Sequence, residues 1–157
     1  MTPGQQQTVL TEEGRKRLTE RARRLRDETI PTLNAAMEDS EQDGSLDASL
    51  QVEHDLAVNE LQRLTYLLET AKSTAVIPED PDMVQVGDWV TILEEDDQSS
   101  RYLIVHPAEA GIDLNRISSE SPLARALLDH RVGQDVEVHA PSGRYRVRIA
   151  EVLRDGG

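Results

Sequence analysis

The sequence predicts an α+β fold, in which an N-terminal antiparallel α-helical coiled-coil hairpin precedes a small antiparallel β domain with one short helix. Three observations predict it. Apolar residues recur at a helical period up to about residue 75, they alternate with polar residues from residue 89 onwards, and the segment PEDPD separates the two patterns. We therefore expect a hairpin domain at 1–77, a linker at 78–82 and a β domain at 83–157.

The second arm of the predicted hairpin has the clearest seam. Its seam residues step alternately by four and three, which is the period of 3.5 that is typical of a coiled coil. His54 is the polar member of this seam, and we expect it to fix the register of the two arms rather than to sense pH. The seam comprises Leu50, His54, Ala57, Leu61, Leu64, Leu68, Ala71 and Ala75.

The first arm has a less regular pattern. Thr11 is placed to cap its first helix, and Gly44 with the serines around it predicts the turn between the arms. Pro31 lies inside the arm and predicts a kink or a local loss of helix. The residues expected to share the inner face are Leu18, Ala22, Leu25, Thr29, Leu33 and Ala36.

The β domain is predicted from short segments of period two. Strands are expected at 89–93, 101–105, 135–139 and 145–149, and the last two flank the turn Ala-Pro-Ser-Gly, which indicates a hairpin. Pro122 at the first turn of Ala-Arg-Ala-Leu-Leu predicts a short helix between them. Phe is absent, so the core is expected to be aliphatic.

Composition excludes several classes of protein. The 157 residues include 17 basic and 30 acidic residues, and the net charge of -13 argues against non-specific binding to DNA or to anionic membranes. The absence of cysteine excludes disulfides and thiolate metal sites, and it suits the cytoplasm, where we expect the protein to act. No apolar run reaches the roughly 18 residues of a membrane span. His106, His130 and His139 lack the paired spacing of a zinc site.

Charge is segregated along the predicted hairpin. No Lys or Arg occurs between Arg26 and Arg63, and the intervening segment is rich in Asp and Glu. Helical ion pairs such as Glu20 with Arg24 offer one explanation of the basic run before it. They do not explain the acidic tip, so we expect a cation or a basic surface outside the chain to offset its charge. The basic run comprises Arg15, Lys16, Arg17, Arg21, Arg23, Arg24 and Arg26.

Two segments carry a family resemblance. One is the opening Leu10-Thr11-x-x-Gly14-x-x-x-Leu18, and the other is the stretch Ile-Ser-Ser-Glu-Ser-Pro-Leu-Ala-Arg-Ala-Leu-Leu at 117–128. With the order of hairpin, linker and sheet domain, they make the chain similar to the Gre family of bacterial transcript-cleavage factors. The resemblance covers nearly the whole chain, and 118–128 is its most specific part.

The resemblance implies a fold and a partner. The β domain would be FKBP-like and would dock on RNA polymerase at the rim of the secondary channel, which the hairpin would enter as a monomer. No cofactor of its own is implied, since Mg2+ would be met only at the polymerase active site. The docking segment would be Ser121, Pro122, Leu123, Ala124 and Arg125, and the basic patch that approaches the nascent RNA would be Arg15, Arg17, Arg21 and Arg24.

The tip of the hairpin departs from the family. Cleavage-competent members read Gly-Asp-Leu-x-Glu-Asn-Ala-Glu-Tyr there, and the Asp and Glu help to hold a second magnesium ion, a hard cation that prefers oxygen ligands. Alignment on Gly44 places Ser45 at the Asp position and Ala48 at the Glu position. We therefore expect no catalytic residues, no resident metal and no enzymatic role. The tip residues are Glu41, Asp43, Gly44, Ser45, Asp47 and Ala48.

Four functions follow as hypotheses. The first is a paralogue that lacks the acidic pair and modulates, chiefly inhibits, transcription without stimulating RNA cleavage. The second is an active cleavage factor in which Asp43 and Asp47 recruit Mg2+. The third is a prolyl isomerase or chaperone, against which the scarcity of aromatic residues argues, since such a site needs an apolar pocket. The fourth is a self-associating coiled coil without a role at polymerase.

Overall fold

A computed structural model of the protein describes residues 8–45, 47–73, 80–111 and 115–154. The chain divides into two units, one of Arg15–Thr70 and one that combines Met1–Gly14 with Ala71–Gly157. The predicted linker at 78–82 lies partly outside the described residues, so the predicted domain boundaries stay predictions. The α+β fold class, with a helical hairpin and a β domain, is confirmed.

The hairpin unit is built from three helices. Helix α1 spans Glu12–Arg24, a π-helical turn spans Leu25–Thr29, α2 spans Ile30–Asp43, and α3 spans Ala48–Thr70. Acidic residues in the first turn of α1 and arginines in its last turn complement the helix dipole. Gly44 ends α2 with a φ of +78°, a left-handed conformation that favours glycine, and so allows the chain to reverse.

The seam of α3 lies where its period predicts. Ala57 and Leu64 are buried, and the other described seam members are half-buried, including His54. The face opposite this seam is exposed, as expected for one arm of a two-stranded coiled coil. Ala75, the last predicted member, lies outside the described residues.

The first arm differs from the prediction at one position. Thr29 is exposed, and Ile30 takes the inward position that Thr29 was expected to hold. A regular α-helix would require residue 31 to donate its N–H to the carbonyl of Asp27, but Pro31 has no N–H. The chain instead makes a π turn, in which the Ile30 N–H donates to the Leu25 carbonyl. Two successive inward-facing residues, Leu25 and Ile30, are therefore five positions apart instead of the usual three or four.

The β domain contains a five-stranded sheet. Its strands are β3 at Asp88–Glu94, β4 at Ser99–Val105, β5 at Arg116–Ser118, β6 at Asp135–Ala140 and β7 at Gly143–Arg154. Their order in the sheet is β5-β4-β3-β7-β6. The four strands that the sequence predicts pair antiparallel, and β5, which was not predicted, pairs parallel with β4 at one edge. A separate parallel pair joins β1, Val9–Leu10, to β2, Lys72–Ser73.

One face of this sheet forms an aliphatic core with helix α4, Pro122–Leu127. The alternation of buried and exposed residues along β6 places Val136 and Val138 in that core, and Ala124 and Leu127 of α4 are fully buried against it. Among the helices of the described ranges, none is long and apolar enough to cross a membrane.

Candidate functional site

The tip of the hairpin is an exposed turn in which short polar side chains bond one another. Asp43 Oδ1 accepts hydrogen bonds from the Ser45 N–H at 2.8 Å and from the Ser45 hydroxyl. The Ser40 hydroxyl donates to the Ser45 carbonyl and so ties the end of α2 to the turn. The bonds from Ser45 hold the pKa of the Asp43 carboxyl below its usual range.

Asp47 caps the second arm. Its Oδ1 accepts from the Ser49 N–H at 2.9 Å and from the Ser49 hydroxyl at 2.6 Å, so it satisfies a donor in the first turn of α3. These bonds lower the pKa of the Asp47 carboxyl. Asp43 and Asp47 are therefore both ionised at neutral pH, and each uses only one of its two oxygens within the described turn.

The tip does not form a closed metal site on its own. No group of three or more His, Asp or Glu side chains that could hold a metal ion occurs in the ranges that the structure describes. Mg2+ prefers octahedral coordination by oxygen, so two carboxylates that each bond a serine would need further ligands from a partner and from water. What the tip offers is two fixed negative charges on an exposed turn.

The residues at the family's two acidic positions are both exposed. Ser45 directs its hydroxyl to Asp43, and Ala48, the first residue of α3, has only a methyl group. Neither side chain is a carboxylate ligand for a hard cation. Val52, one turn further along, is 58% exposed and provides no polar atom.

The basic patch on α1 is partly engaged within the hairpin. Arg15 Nη1 donates to the Leu68 carbonyl at 2.9 Å, Arg21 pairs with Glu60, and Arg24 pairs with Glu20 at 3.2 Å. Hydrogen bonds from Arg23 and then Arg24 lower the pKa of Glu20 to about 2. Ion pairs within the helix, such as Glu20 with Arg24, therefore engage some of the basic side chains of this run.

The patch still presents cations on one surface. A shallow cleft on α1 is lined by Glu20 and by four cationic side chains, Lys16, Arg17, Arg21 and Arg24. Arg21 is 63% exposed and Arg24 is 66% exposed in their side chains, so their ion pairs are accessible to water. Exposed pairs of this kind contribute little to stability and can exchange for contacts with a partner's phosphates.

The predicted docking segment forms the start of α4. The Ser121 hydroxyl caps the helix by accepting from the Ala124 N–H at 3.2 Å, and Pro122 occupies the first helical position, where its missing N–H costs nothing. Pro122 and Arg125 are exposed, Leu123 is half-buried, and Ala124 is fully buried in the core. Pro122 and Arg125 are thus the side chains of this segment most accessible to a partner.

A buried carboxylate that sequence reasoning missed holds the start of α1. Glu109 is 1% exposed, and its side chain accepts from the Thr11 N–H at 3.2 Å and from the Thr11 hydroxyl at 2.5 Å. The Thr11 hydroxyl in turn accepts from the Gly14 N–H at 2.9 Å, which makes Thr11 the helix cap that the sequence predicts. No local pattern identifies Glu109, because its partner is 98 residues away in the chain.

Comparison with known proteins finds relatives among the bacterial transcription elongation factors. Residues 78–154 match the protein family described as "Transcription elongation factor, GreA/GreB, C-term". The chain is 32% identical to the transcription elongation factor GreA of Geobacillus kaustophilus, over 94% of this chain and 98% of that protein. It is 34% identical to GreA of Thermoanaerobacter pseudethanolicus, over 93% of this chain and 97% of that protein. It is 40% identical to the transcription elongation factor GreB of Pseudomonas aeruginosa, in an alignment that covers about half of each chain.

Solved structures resemble the chain along most of its length. A Thermus thermophilus protein titled GreA factor homolog 1 (Gfh1) is 22% identical, with a TM-score of 0.42 over 94% of this chain and 99% of that one. A GreA/GreB factor from Nitrosomonas europaea is also 22% identical, with a TM-score of 0.43 over 94% and 99%.

The names of these relatives correct one expectation. We expected the chain not to be an enzyme, because Ser45 and Ala48 replace the acidic pair. The relatives that match along their length are named transcription elongation factors GreA, and the resemblance to the Gre family implies that such factors support RNA cleavage. The expectation of no enzymatic role is therefore wrong.

Proposed function

The chain belongs to the GreA/GreB family of transcription elongation factors, and from that premise we propose how it acts on bacterial RNA polymerase. The β domain binds at the rim of the secondary channel, and the hairpin enters the channel with its tip towards the active centre. The main effect is to slow nucleotide addition, because an inserted hairpin occupies the route by which nucleotides enter.

The observation that carries this proposal is the composition and bonding of the tip. Asp43 and Asp47 are charged at neutral pH, and each bonds a neighbouring serine. Their charge suits a channel that leads to bound Mg2+, whereas Ser45 and Ala48 supply no carboxylate at the positions where the family holds the second ion. A tip with this chemistry favours occupation of the channel as the main effect, with support of RNA cleavage as a slower one.

Two further surfaces support the same orientation. Exposed Pro122 and Arg125 at the start of α4 would contact the polymerase rim. Arg17, Arg21 and Arg24 would approach the nascent RNA, since guanidinium groups bind phosphate well. The chain would act as a cytoplasmic monomer on polymerase, and it would meet Mg2+ only at the polymerase active site.

A second function rests on the free oxygens of the tip. Asp43 and Asp47 each keep one carboxylate oxygen without a hydrogen bond in the described turn, and both groups are ionised at neutral pH. In this second function these oxygens recruit Mg2+ at the polymerase active centre and support RNA cleavage. A ligand displaced by about 1 Å can lose roughly a hundredfold in rate, so such cleavage would be slow.

In vitro transcription separates the two functions. Halted elongation complexes are supplied with the purified protein, and RNA extension and RNA shortening are scored in the same reaction. Inhibition predicts slower extension with little shortening, and the second function predicts Mg2+-dependent shortening. A protein that changes neither extension nor shortening would contradict both.

A further inference from the structure

The outer face of α3 carries a stripe of residues that neither the hairpin seam nor the proposed tip chemistry uses. The stripe steps by four, three, four and three along the side of the helix opposite the seam. It contains no Asp or Glu, although the chain has 30 acidic residues. Three of its members are strongly exposed: Val52 at 58%, Leu56 at 64% and Tyr66 at 70%. The outer stripe comprises Val52, Leu56, Asn59, Arg63 and Tyr66.

The two ends of the outer stripe are symmetric about Asn59, whereas Leu56 has Gln62 at the equivalent position on the other side. Val52 lies seven residues before Asn59 and Tyr66 lies seven residues after it. A second copy of α3, packed antiparallel across a two-fold axis at Asn59, would therefore place Val52 against Tyr66 of the other copy, twice. Such an isologous contact needs a surface that complements itself, and this spacing provides one. Asn59 would meet its own copy at the axis, where a polar residue fixes register in coiled coils.

Charge favours the same register. Arg63 is the only basic residue of α3, and it forms no ion pair in the described part of the chain. Antiparallel packing about Asn59 places Arg63 of each copy opposite Asp55 of the other, because Asp55 lies four residues before the axis and Arg63 four after it. The Asp55 side chain is 61% exposed and bonds only Gln51 and His54 on its own helix.

The distribution of charge along the hairpin points in the same direction. Arg15 bonds Leu68 and Arg21 pairs with Glu60, so the basic run of α1 lies beside the C-terminal half of α3. The N-terminal half of α3 lies next to the acidic tip. An antiparallel pair of hairpins therefore keeps the two acidic tips at opposite ends of the dimer, whereas a parallel pair would place them side by side.

We propose that the outer stripe of α3 binds a second copy of this chain, as an antiparallel dimer with its two-fold axis at Asn59. The stripe from Val52 to Tyr66 is about 21 Å long at the rise of an α-helix. An interface of that length falls at the small end of specific protein interfaces, so the dimer dissociates on dilution. It does not depend on the function proposed above, which concerns the tip and needs one copy.

A charge-swap cycle tests the register. Asp55→Arg and Arg63→Asp each replace two symmetric ion pairs by like charges, so each should raise the dimer dissociation constant about tenfold. The double variant restores opposite charges across the axis and should return the constant to near the original value. Glu69→Arg, an exposed change of equal charge outside the stripe, is the control. Sedimentation equilibrium from about ten micromolar to about one millimolar measures the original protein and the four variants.

A disulfide experiment tests the axis independently, because the chain has no cysteine. Under a mild oxidant, Asn59→Cys should form a covalent dimer much faster than Glu53→Cys, which lies on the same helix outside the stripe. The proposal is overturned if the protein stays monomeric at all concentrations, if the double charge swap does not restore association, or if both cysteines crosslink equally. A monomeric protein whose Val52→Ser and Leu56→Ser variants lose polymerase binding would instead assign the stripe to polymerase.

Discussion

The carboxylate of Glu109 binds both donors of Thr11 at the start of helix α1. Oε2 accepts from the Thr11 N–H at 3.2 Å and Oε1 from the Thr11 hydroxyl at 2.5 Å. Gly14 lies so close that an added Cβ would be 1.6 Å from Oε1. The glycine of the opening motif is therefore explained by the close approach of a buried carboxylate rather than by an unusual backbone angle.

We predict that Glu109→Gln destabilises the β domain. The amide has one acceptor oxygen in place of two: if that oxygen keeps the Thr11 N–H, the Thr11 hydroxyl faces the NH2 group and its proton loses its acceptor. The expected loss is about 1–3 kcal/mol in the free energy of unfolding, measured by chemical denaturation. Glu120→Gln, an exposed change of the same kind, should alter it by less than about 0.5 kcal/mol. Equal effects of the two changes would contradict the role of Glu109.

The π turn of the first arm gives a second prediction. Deletion of Thr29 combined with Pro31→Ala should leave a continuous α-helix. The deletion brings the inward-facing residues Leu25 and Ile30 to a separation of four positions, which a regular α-helix accommodates. The free energy of unfolding should then stay within about 1 kcal/mol of the original or rise, since an interior proline is removed. Circular dichroism and thermal unfolding check this outcome.

The matched control deletes Ala35 in place of Thr29, again with Pro31→Ala. If the π turn persists, that deletion turns every later residue of α2 by roughly 100° away from the seam; if the turn relaxes to a regular helix, the deletion turns Ile30 and Leu33 instead. Either way it should cost several kcal/mol, because half-buried residues, either Met37 or Ile30 and Leu33, would leave the seam. The explanation of the π turn fails if the two deletions are equally destabilising.

The third prediction concerns the tip. Ser45→Asp combined with Ala48→Glu restores carboxylates at the family's two acidic positions, and it should increase Mg2+-dependent RNA cleavage in halted complexes at least about tenfold. Ser49→Asp combined with Gln42→Glu adds the same charge to the exposed tip at positions where the family's motif has no acidic residue, and it should not. Equal cleavage by both double variants would show that charge alone, and not position, limits the reaction.

The fourth prediction separates charge from capping at Asp47. Asp47→Asn keeps a side-chain oxygen that can accept from Ser49, so the free energy of unfolding at neutral pH should change by less than about 0.5 kcal/mol. If Asp43 and Asp47 recruit Mg2+, the same variant should lose any RNA shortening. Inhibition of extension should persist if occupation of the channel is the cause. Loss of inhibition with cleavage retained would contradict both functions.

The fifth prediction concerns acid. The pKa of Glu20 is about 2 in the folded hairpin, below its usual 4.5, because Arg23 and Arg24 bond the charged form. A depressed folded pKa adds stability that is present above the unfolded value and is lost as pH falls towards the folded one. Stability should therefore decline between about pH 5 and pH 2, and it should decline less in Glu20→Gln. Exposed Glu41→Gln is the control, and an identical decline in all three proteins would contradict this role of Glu20.

The sequence predicted those parts of the hairpin that local periodicity determines. The seam of α3 depends on a repeat of 3.5 residues, which is present in the sequence itself, and its described members all lie inward. Pro31 indicated a disturbance but not its kind, because a kink, a break and a π turn all relieve the missing N–H. Only the structure shows that Ile30, and not Thr29, faces inward.

Long-range contacts account for what the sequence could not predict. Glu109 and Thr11 bond across 98 residues, and neither neighbourhood contains a pattern that pairs them. The parallel strand β5, Arg116–Ser118, is only three residues long and too short for its alternation to be recognised. At the tip, Asp43 and Asp47 were identified as candidate ligands, but their bonds to Ser45 and Ser49 depend on the turn geometry.

Mapping the tip on polymerase tests the central claim most directly. An iron chelate that generates hydroxyl radicals is attached to Gln42→Cys, an exposed position at the tip of a chain that has no other cysteine. We predict cuts in the polymerase segments that line the secondary channel near the active centre. The same probe on Ser142→Cys, in the exposed turn between β6 and β7, should cut a different set. Absence of channel cuts from Gln42→Cys, in complexes shown to contain the protein, would contradict the account.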